Sequence, residues 1–263
     1  MILVLAGTKD GREIAAELER SGFSVLVSVQ SGYGRSLAQE TGLTVSAKSL
    51  DADGFSSLIS DQAIRIIVDA SHPYAVNVSK NALCAAERSG VRYVRYERPA
   101  LPLPAYDKLY LAGDAAEAAQ LSAELGRVIF LTTGSRSLAV FKRHPLLAQH
   151  RLVARVLPDP AVLAECLALG FLPRDIVAVQ GPFSQALNMA LFKEFGSEVV
   201  ITKNSGLVGG SDEKFKAAVE LGLNLVVIDR PVLDYKNVVN SGEAVINFVR
   251  EVENGFYHSA AKN

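Results

Sequence analysis

The sequence predicts an α/β protein of two units, with mainly parallel sheets whose binding edges face a shared cleft. Three observations carry that expectation. Short apolar runs alternate with amphipathic stretches along nearly the whole chain, the pattern of βα repeats that build a parallel sheet. Strand after strand ends in a Gly, Ser, Thr or Asn cluster, at what a parallel sheet makes its carboxyl edge, where ligands bind. A proline cluster, Pro99, Pro102 and Pro104, breaks the series, because proline continues neither a ladder nor a helix. It divides the chain into an N-terminal domain over 1–100 and a C-terminal domain over 101–263.

The first apolar run, residues 2–6, leads into Gly7-Thr8-Lys9-Asp10-Gly11-Arg12 and then a helix with Ile14, Ala15 and Leu18 on one side. Strand, glycine turn and helix let backbone N–H groups meet a phosphate, although the run is not Gly-x-Gly-x-x-Gly. A second strand, Phe23 to Val29, ends in Gln30-Ser31-Gly32-Tyr33-Gly34-Arg35. About 20 residues past the turn an NAD-preferring fold usually places an acid on the ribose. Here Ser31 and Arg35 stand instead, and their chemistry suits a 2′-phosphate, hence NADP, or else a solvated loop. Strands are expected at Leu43 to Ala47 and Arg65 to Asp69, with a helix from Asp53 to Ser60 between them.

Asp69-Ala70-Ser71-His72-Pro73-Tyr74-Ala75 turns a buried strand into a helix expected to start at Pro73, where a fixed φ and a missing N–H are suited to the first position. Ser71, His72 and Tyr74 then face whatever lies beyond the strand ends, or simply cap the helix. Val91 to Tyr96 is the next strand, ending in Glu97-Arg98-Pro99. The second series runs from Lys108 to Leu111, through a helix at Asp114 to Leu125, to Val128 to Leu131 and the hydroxyl-rich Thr132-Thr133-Gly134-Ser135. Leu152 to Leu157, Asp175 to Val179, Glu198 to Thr202 and Leu223 to Ile228 follow as strands, the last of them the last clear one. Gln180-Gly181-Pro182-Phe183-Ser184 and Lys203-Asn204-Ser205-Gly206 end two of these, Lys214 falls on the next helix, and Glu243 to Glu253 closes the chain as a helix.

A formal net charge of -1 gives no general case for nucleic acid or an anionic membrane, so any anion must be held locally. No apolar run approaches the roughly 20 residues of a spanning helix, and the opening has neither a basic region nor a cleavage site, so a cytoplasmic location is expected. The two cysteines, Cys84 and Cys166, sit in helix-like patterns, and neither a disulfide nor a metal site is expected. None of the eight tyrosines has a lysine four residues on, there is no P-loop and no Gly-x-Ser-x-Gly elbow, and the four histidines lack metal-ligand spacing. Cofactor chemistry remains, in which the protein mainly places a hydride donor against an electrophile.

Gly7-Thr8 with Arg12, the block at 69–75, Asn81-Ala82, Tyr96-Glu97-Arg98-Pro99, Thr133-Gly134-Ser135, Gln180 to Ser184 with Asn188, Lys203 to Gly206 and Arg230-Pro231 together resemble the precorrin-6A reductase family of cobalamin biosynthesis, nearly end to end. The resemblance implies two Rossmann-like domains and reduction of a macrocycle double bond by a nicotinamide cofactor. NADPH is the expected donor, with NADH as the alternative. One departure is Ala6-Gly7-Thr8, where the family usually has Gly-Gly-Thr.

On that reading Gly7, Thr8, Arg12, Ser31, Arg35, Ser71, Thr133, Gly134 and Ser135 meet the cofactor. Arg98, Arg136, Gln180, Gly181, Phe183, Lys203, Ser205 and Lys214 meet a tetrapyrrole-derived macrocycle bearing many carboxylates, and His72 and Tyr74 stand at the reacting edge. Whether His72 donates a proton or positions its ligands is open, as are the state of oligomerisation and the presence of cobalt in the substrate. Another NADP-dependent reductase, or a dinucleotide sensor without catalysis, would share this fold.

Overall fold

The computed structural model describes residues 1–29, 32–46, 51–206 and 210–260. In chain order the strands are β1 (Ile2–Leu5), β2 (Val25–Ser28), β3 (Ile66–Asp69), β4 (Arg92–Tyr96), β5 (Leu109–Ala112), β6 (Val128–Leu131), β7 (Arg151–Val156), β8 (Ile176–Ala178), β9 (Val199–Lys203), β10 (Asn224–Ile228) and β11 (Val238–Val239). The α-helices are α1 (Lys9–Arg20), α2 (Gly32–Glu40), α3 (Ala52–Asp61), α4 (Val76–Ser89), α5 (Ala115–Leu125), α6 (Leu138–Arg143), α7 (Pro160–Ala168), α8 (Gln185–Glu194), α9 (Ser211–Glu220) and α10 (Gly242–Ala260). They form two compact units, Met1–Pro99 with Val232–Asn263, and Ala100–Pro231.

The first sheet has the order β11-β4-β3-β1-β2 and is parallel throughout. Its strands β1, β2 and β3 are buried at every position and apolar save for Ser28 and Asp69 at two carboxyl ends, because both faces are covered, as parallel sheets require. Val4, Val27 and Val68 pack against Ile14 and Leu18 of α1 and Val245 and Val249 of α10, whereas Leu3, Leu26 and Ile67 meet Phe55 of α3 and Val78 and Ala82 of α4. The second sheet, β5-β10-β9-β6-β7-β8, is also parallel. One face, with Phe130, Val200 and Val227, packs on Phe192 of α8 and Phe215 of α9. The two parallel sheets expected from the alternation are therefore present, with the Rossmann-like winding that the family resemblance implies.

Several elements differ from expectation. Residues 232–263 belong to the first unit, not to a C-terminal domain continuing from residue 101. The return is made by β11, which pairs with β4 through Arg95 N–H to Asn237 O (2.9 Å) and Glu97 N–H to Val239 O (2.9 Å), and by α10. Leu43 to Ala47 is not a strand: Val45 makes one isolated bridge to Val27, and Ala47 lies outside the described residues. Helix α4 begins at Val76, not Pro73, because His72 to Ala75 closes a turn of its own through Ala75 N–H to His72 O (2.8 Å). Neither Ser71 nor His72 caps α4; Ala75 holds the N-cap position without a side-chain bond.

Among the described residues no helix is long and apolar enough to cross a membrane, and no group of three His, Cys, Asp or Glu is placed to hold a metal ion. Cys84 and Cys166 are free thiols.

Gly11 fixes how closely α1 approaches the sheet. A Cβ there would stand 2.8 Å from Ala6 Cα and 3.0 Å from Ala70 O, both backbone atoms that cannot swing aside. A Gly11→Ala variant is expected to lose about 1 to 3 kcal/mol in denaturant unfolding, the usual range for overpacking. Gly7→Ala, whose Cβ meets nothing within 4 Å, is expected to change the unfolding free energy by less than about 0.5 kcal/mol. Equal losses in the two variants would refute the close-approach account.

Candidate functional site

Open parallel sheets bind ligands at the carboxyl ends of the two strands between which the winding direction reverses. The first sheet reverses between β1 and β3, and the second between β6 and β9. The first reversal sets Ala6-Gly7-Thr8 beside Ala70-Ser71-His72. Thr8 spans it: its hydroxyl donates to Ala70 O (3.0 Å) and accepts from Gly11 N–H (3.0 Å), capping α1. Gly7 is exposed, and Arg12 is half-buried in the first turn of α1. Gly7, clear of side chains, and Gly11, packed on the strands, are thus the two kinds of glycine a phosphate-binding turn needs. The residues fit a dinucleotide at this point, with the first N–H groups of α1 as donors. Arg35 is half-buried in the first turn of α2, at the end of the second strand, and Ser31 lies outside the described residues.

Behind that turn is a buried polar network. Asp69, fully buried, accepts from Tyr93 Oη (2.7 Å), from Arg95 Nη1 (2.9 Å) and from Ser71 N–H (3.0 Å). Arg95 Nη1 also reaches Ser71 Oγ (3.1 Å), and the Tyr235 ring lies 5.5 Å from its guanidinium carbon. Burial, and then the Asp69 carboxylate, push the Tyr93 hydroxyl far above its ordinary value, so it stays a donor. Ser71, expected at the cofactor, is therefore tied to this network. His72 and Tyr74 are half-buried at the turn it supports, their rings 5.7 Å apart. His72 Nδ1 accepts from Tyr74 N–H (3.3 Å), so the proton of the neutral ring sits on Nε2. Arg98 is buried against Asp10, Nε to Oδ2 at 3.3 Å, and its charge is answered within the first unit.

The second reversal brings together the turns after β6 and β9. Lys203 spans it, donating from Nζ to Thr133 O (2.9 Å). Thr133 Oγ1 accepts from Ser137 Oγ (2.9 Å), Gly134 takes φ 78°, Ser135 is half-buried and Arg136 is exposed. Ser205 is buried, with its N–H donating to Ser211 Oγ (3.0 Å) and its hydroxyl 3.1 Å from the same atom. Asn204 grips Leu101 through both its amide atoms, and Arg230 Nε donates to Asn204 O (2.8 Å). Lys214, on α9, is buried. Burial lowers its pKa to about 7, with Arg155 and then Lys203 adding like-charge repulsion. Lys203 is lowered to about 8, by burial first and by Arg136 second. Gln180 and Gly181 are exposed, and Phe183 is half-buried under the Arg155 guanidinium at 4.5 Å.

Sequence reasoning gave no role to Asp69, Tyr93, Arg95, Tyr235 or Arg155, and named Asn188 only within a motif. The available signal was a charged residue inside an apolar strand, Arg95 in β4 and Arg155 in β7. A hollow of about 580 Å³ at the opposite, amino-terminal edge of the second sheet, lined by Gly126, Ser197 and Asn224 among others, holds none of the expected site residues.

Known proteins match this arrangement over nearly its whole length. A family model described as precorrin-6x reductase CbiJ/CobK matches residues 1–250. A cobalt-precorrin-6A reductase of Priestia megaterium is 39% identical over 248 residues, 94% of this chain and 97% of that protein. One from Salmonella typhimurium is 37% identical over 231 residues, 88% of this chain and 87% of its own. A solved structure, CobK precorrin-6A reductase, superposes with a TM-score of 0.79 at 26% identity, covering 95% of this chain and 96% of that one. With its sheets, its polar strand ends and these relatives in agreement, the chain belongs to the precorrin-6x reductase CbiJ/CobK family.

Proposed function

We propose that this oxidoreductase takes its hydride from NADPH and delivers it to a carbon–carbon double bond of precorrin-6A, with the cobalt-bearing ring as first choice, because the relatives at 39% and 37% identity are named for it. Reduction of the macrocycle in cobalamin biosynthesis is the activity of its family. The observation that carries the finer reading is the pairing of two glycine roles at the first reversal with two lysines of lowered pKa at the second, Lys214 buried and Lys203 half-buried.

When bound, the reduced nicotinamide supplies the hydride, and the second carbon of the double bond takes a proton. In the first unit, Gly7, Thr8 and Arg12 cradle the phosphates, and Arg35 receives the 2′-phosphate. Thr133, Gly134 and Ser135 offer a hydroxyl-rich turn with one left-handed residue, suited to a further contact with the cofactor. Lys203 and Lys214 hold substrate carboxylates, aided by Arg136, Gln180 and Gly181 at the exposed rim. His72 donates the balancing proton from Nε2 as the imidazolium, the form in which Nδ1 also carries a proton and lets go of the Tyr74 N–H, and it returns to a neutral ring; the Tyr74 ring beside it holds it in place.

An anaerobic assay offering metal-free and cobalt-bearing precorrin-6A, each with NADPH and NADH, is expected to show loss of nicotinamide absorbance only when macrocycle is present, fastest with NADPH. Unchanged absorbance in all four mixtures would sink the assignment. Arg35→Ala should lower the NADPH to NADH ratio of kcat/KM about tenfold, equivalent to about 1.4 kcal/mol; an unaltered ratio removes the 2′-phosphate role. His72→Ala should reduce kcat about a hundredfold, the scale of one general acid, with the KM for NADPH unchanged. If turnover persists undiminished, the proton comes from elsewhere.

The lysines also set a pH dependence. In the ligand-free protein Lys214 loses its proton near 7 and Lys203 near 8, whereas macrocycle carboxylates stay ionised throughout. An anion that requires the ammonium forms must therefore bind with proton uptake, and its affinity falls as pH rises through those values. The KM for macrocycle should climb several-fold between about pH 7 and 8, by linkage of one proton, and the climb should flatten in Lys214→Met. A level profile in the parent protein would exclude carboxylate binding by these lysines.

A further inference from the structure

Two arginines lie deep in the molecule on strands of the two sheets, and their surroundings differ in one respect. Arg95 of β4 meets the Asp69 carboxylate at 2.9 Å. Arg155 of β7 is 7% exposed and, among the described residues, pairs with no carboxylate. Its Nη1 donates to Asn188 Oδ1 (2.7 Å), and its guanidinium carbon lies 4.5 Å from the centre of the Phe183 ring and 5.9 Å from that of Phe130. An amide oxygen and two ring faces orient a guanidinium well but leave its charge in place. Burial alone lowers the Arg155 pKa to about 10, and Arg155 in turn helps to lower that of Lys214, itself 7% exposed.

The holder is built rigidly. Asn188 is fully buried, and its Nδ2 donates to Ser184 O (2.9 Å) and Phe183 O (3.3 Å), so its oxygen is turned to Arg155. Phe183 lies against Gly181, where a Cβ would stand 2.9 Å from the ring. Helix α8 already has an anion at its start, since Gln185 N–H donates to Glu213 Oε2 (2.8 Å). A guanidinium held out of water by an amide oxygen and two ring faces, with no carboxylate against it among the described residues, is an arrangement folding alone disfavours. Perturbed groups of this kind cluster where a ligand is bound.

We propose that Arg155 anchors an oxyanion site in the second unit, in which a carboxylate or phosphate group of a bound ligand lies against its guanidinium and the Lys214 ammonium. The site rests on the reading of this unit as ligand-binding. It adds to that reading a planar donor pair, which holds two oxygens of one group and which no lysine supplies. Two ligand groups share the chemistry: a macrocycle side-chain carboxylate and a dinucleotide phosphate.

The test uses the whole chain, with Arg155→Gln and Arg155→Lys. Direct binding is followed without turnover with two probes, uroporphyrin as a many-carboxylate macrocycle and NADPH as the dinucleotide, each by fluorescence titration. Steady-state KM values for precorrin-6A and NADPH are measured alongside. Arg155→Gln is expected to weaken one probe at least tenfold and to leave the other within twofold. A loss confined to uroporphyrin and the precorrin-6A KM assigns the carboxylate, and a loss confined to NADPH assigns the phosphate. Arg155→Lys keeps the charge without the planar fork, and guards against a misfolded glutamine variant; a loss of at least threefold for the same probe is expected. Unchanged affinity for both probes in a folded variant overturns the site. A parent protein that binds uroporphyrin but never reduces precorrin-6A would instead overturn the proposed reaction and leave the site standing.

Discussion

The structure depends on what happens to backbone groups where a sheet reverses its winding. Beyond β1 and β3, and again beyond β6 and β9, adjacent chains leave for opposite faces and stop pairing with each other, yet their carbonyls lie at depths where an unpaired oxygen is costly. Each unit answers with one side chain. Thr8 donates to Ala70 O, and Lys203 donates to Thr133 O. The two strand ends are therefore held at a fixed spacing by a polar group in each unit. Gly11 works to the same end, since only the absence of a Cβ lets α1 begin within contact of both strand ends. The two bridges differ in one respect that affects chemistry: the threonine is neutral at every pH of interest, and the lysine titrates.

The polar network behind the first crevice explains why the turn at His72 has the form it does. Asp69 ends β3 and receives three donors, one of them the backbone N–H of Ser71, which sets the direction of the chain as it leaves the sheet. His72 O then closes on Ala75 N–H, and α4 starts only at Val76. Removing one partner of a buried ion pair such as Arg95 and Asp69 leaves a bare charge, at a cost of about 3 to 5 kcal/mol. The turn that carries His72 and Tyr74 is thus anchored by groups buried away from solvent, Asp69, Tyr93 and Arg95.

Much of this was legible in the chain because the information is local. Apolar runs bounded by Gly, Ser, Thr and Asn mark parallel strands and their carboxyl ends, and the turns at Gly7-Thr8, Thr133-Gly134 and Lys203-Asn204 fall where those runs stop. What escaped depends on partners distant in sequence. Val238 and Val239 are too few to show a period, and only β4 makes them a strand. Val245, Ile246 and Val249 show an amphipathic helix but not which sheet it covers, so the return of 232–263 to the first unit could not be seen. Pro73 suits a turn as well as a first helical position, and only the bond from Ala75 N–H to His72 O decides between them. Arg98 reads as a free cation until Asp10, at the far end of the unit's sequence, is set against it.

The two units also divide the work of charge in a way that the total conceals. Within the first, Arg95 and Arg98 are buried against Asp69 and Asp10, and each positive group has its carboxylate at hand. Within the second, Arg155 rests on an amide and on aromatic faces, and Lys214 lies among like charges with a lowered pKa. Averaged over the chain these contributions reduce to a net charge of -1, from which no affinity for an anion would be inferred. Coulomb energies fall off within a Debye length of roughly 8 Å in salt, while buried charges are screened far less, so a ligand responds to the local set and not to the sum. The net charge of a chain is therefore a poor guide to what a buried guanidinium such as Arg155 can hold, since that depends on the groups within a few ångströms of it.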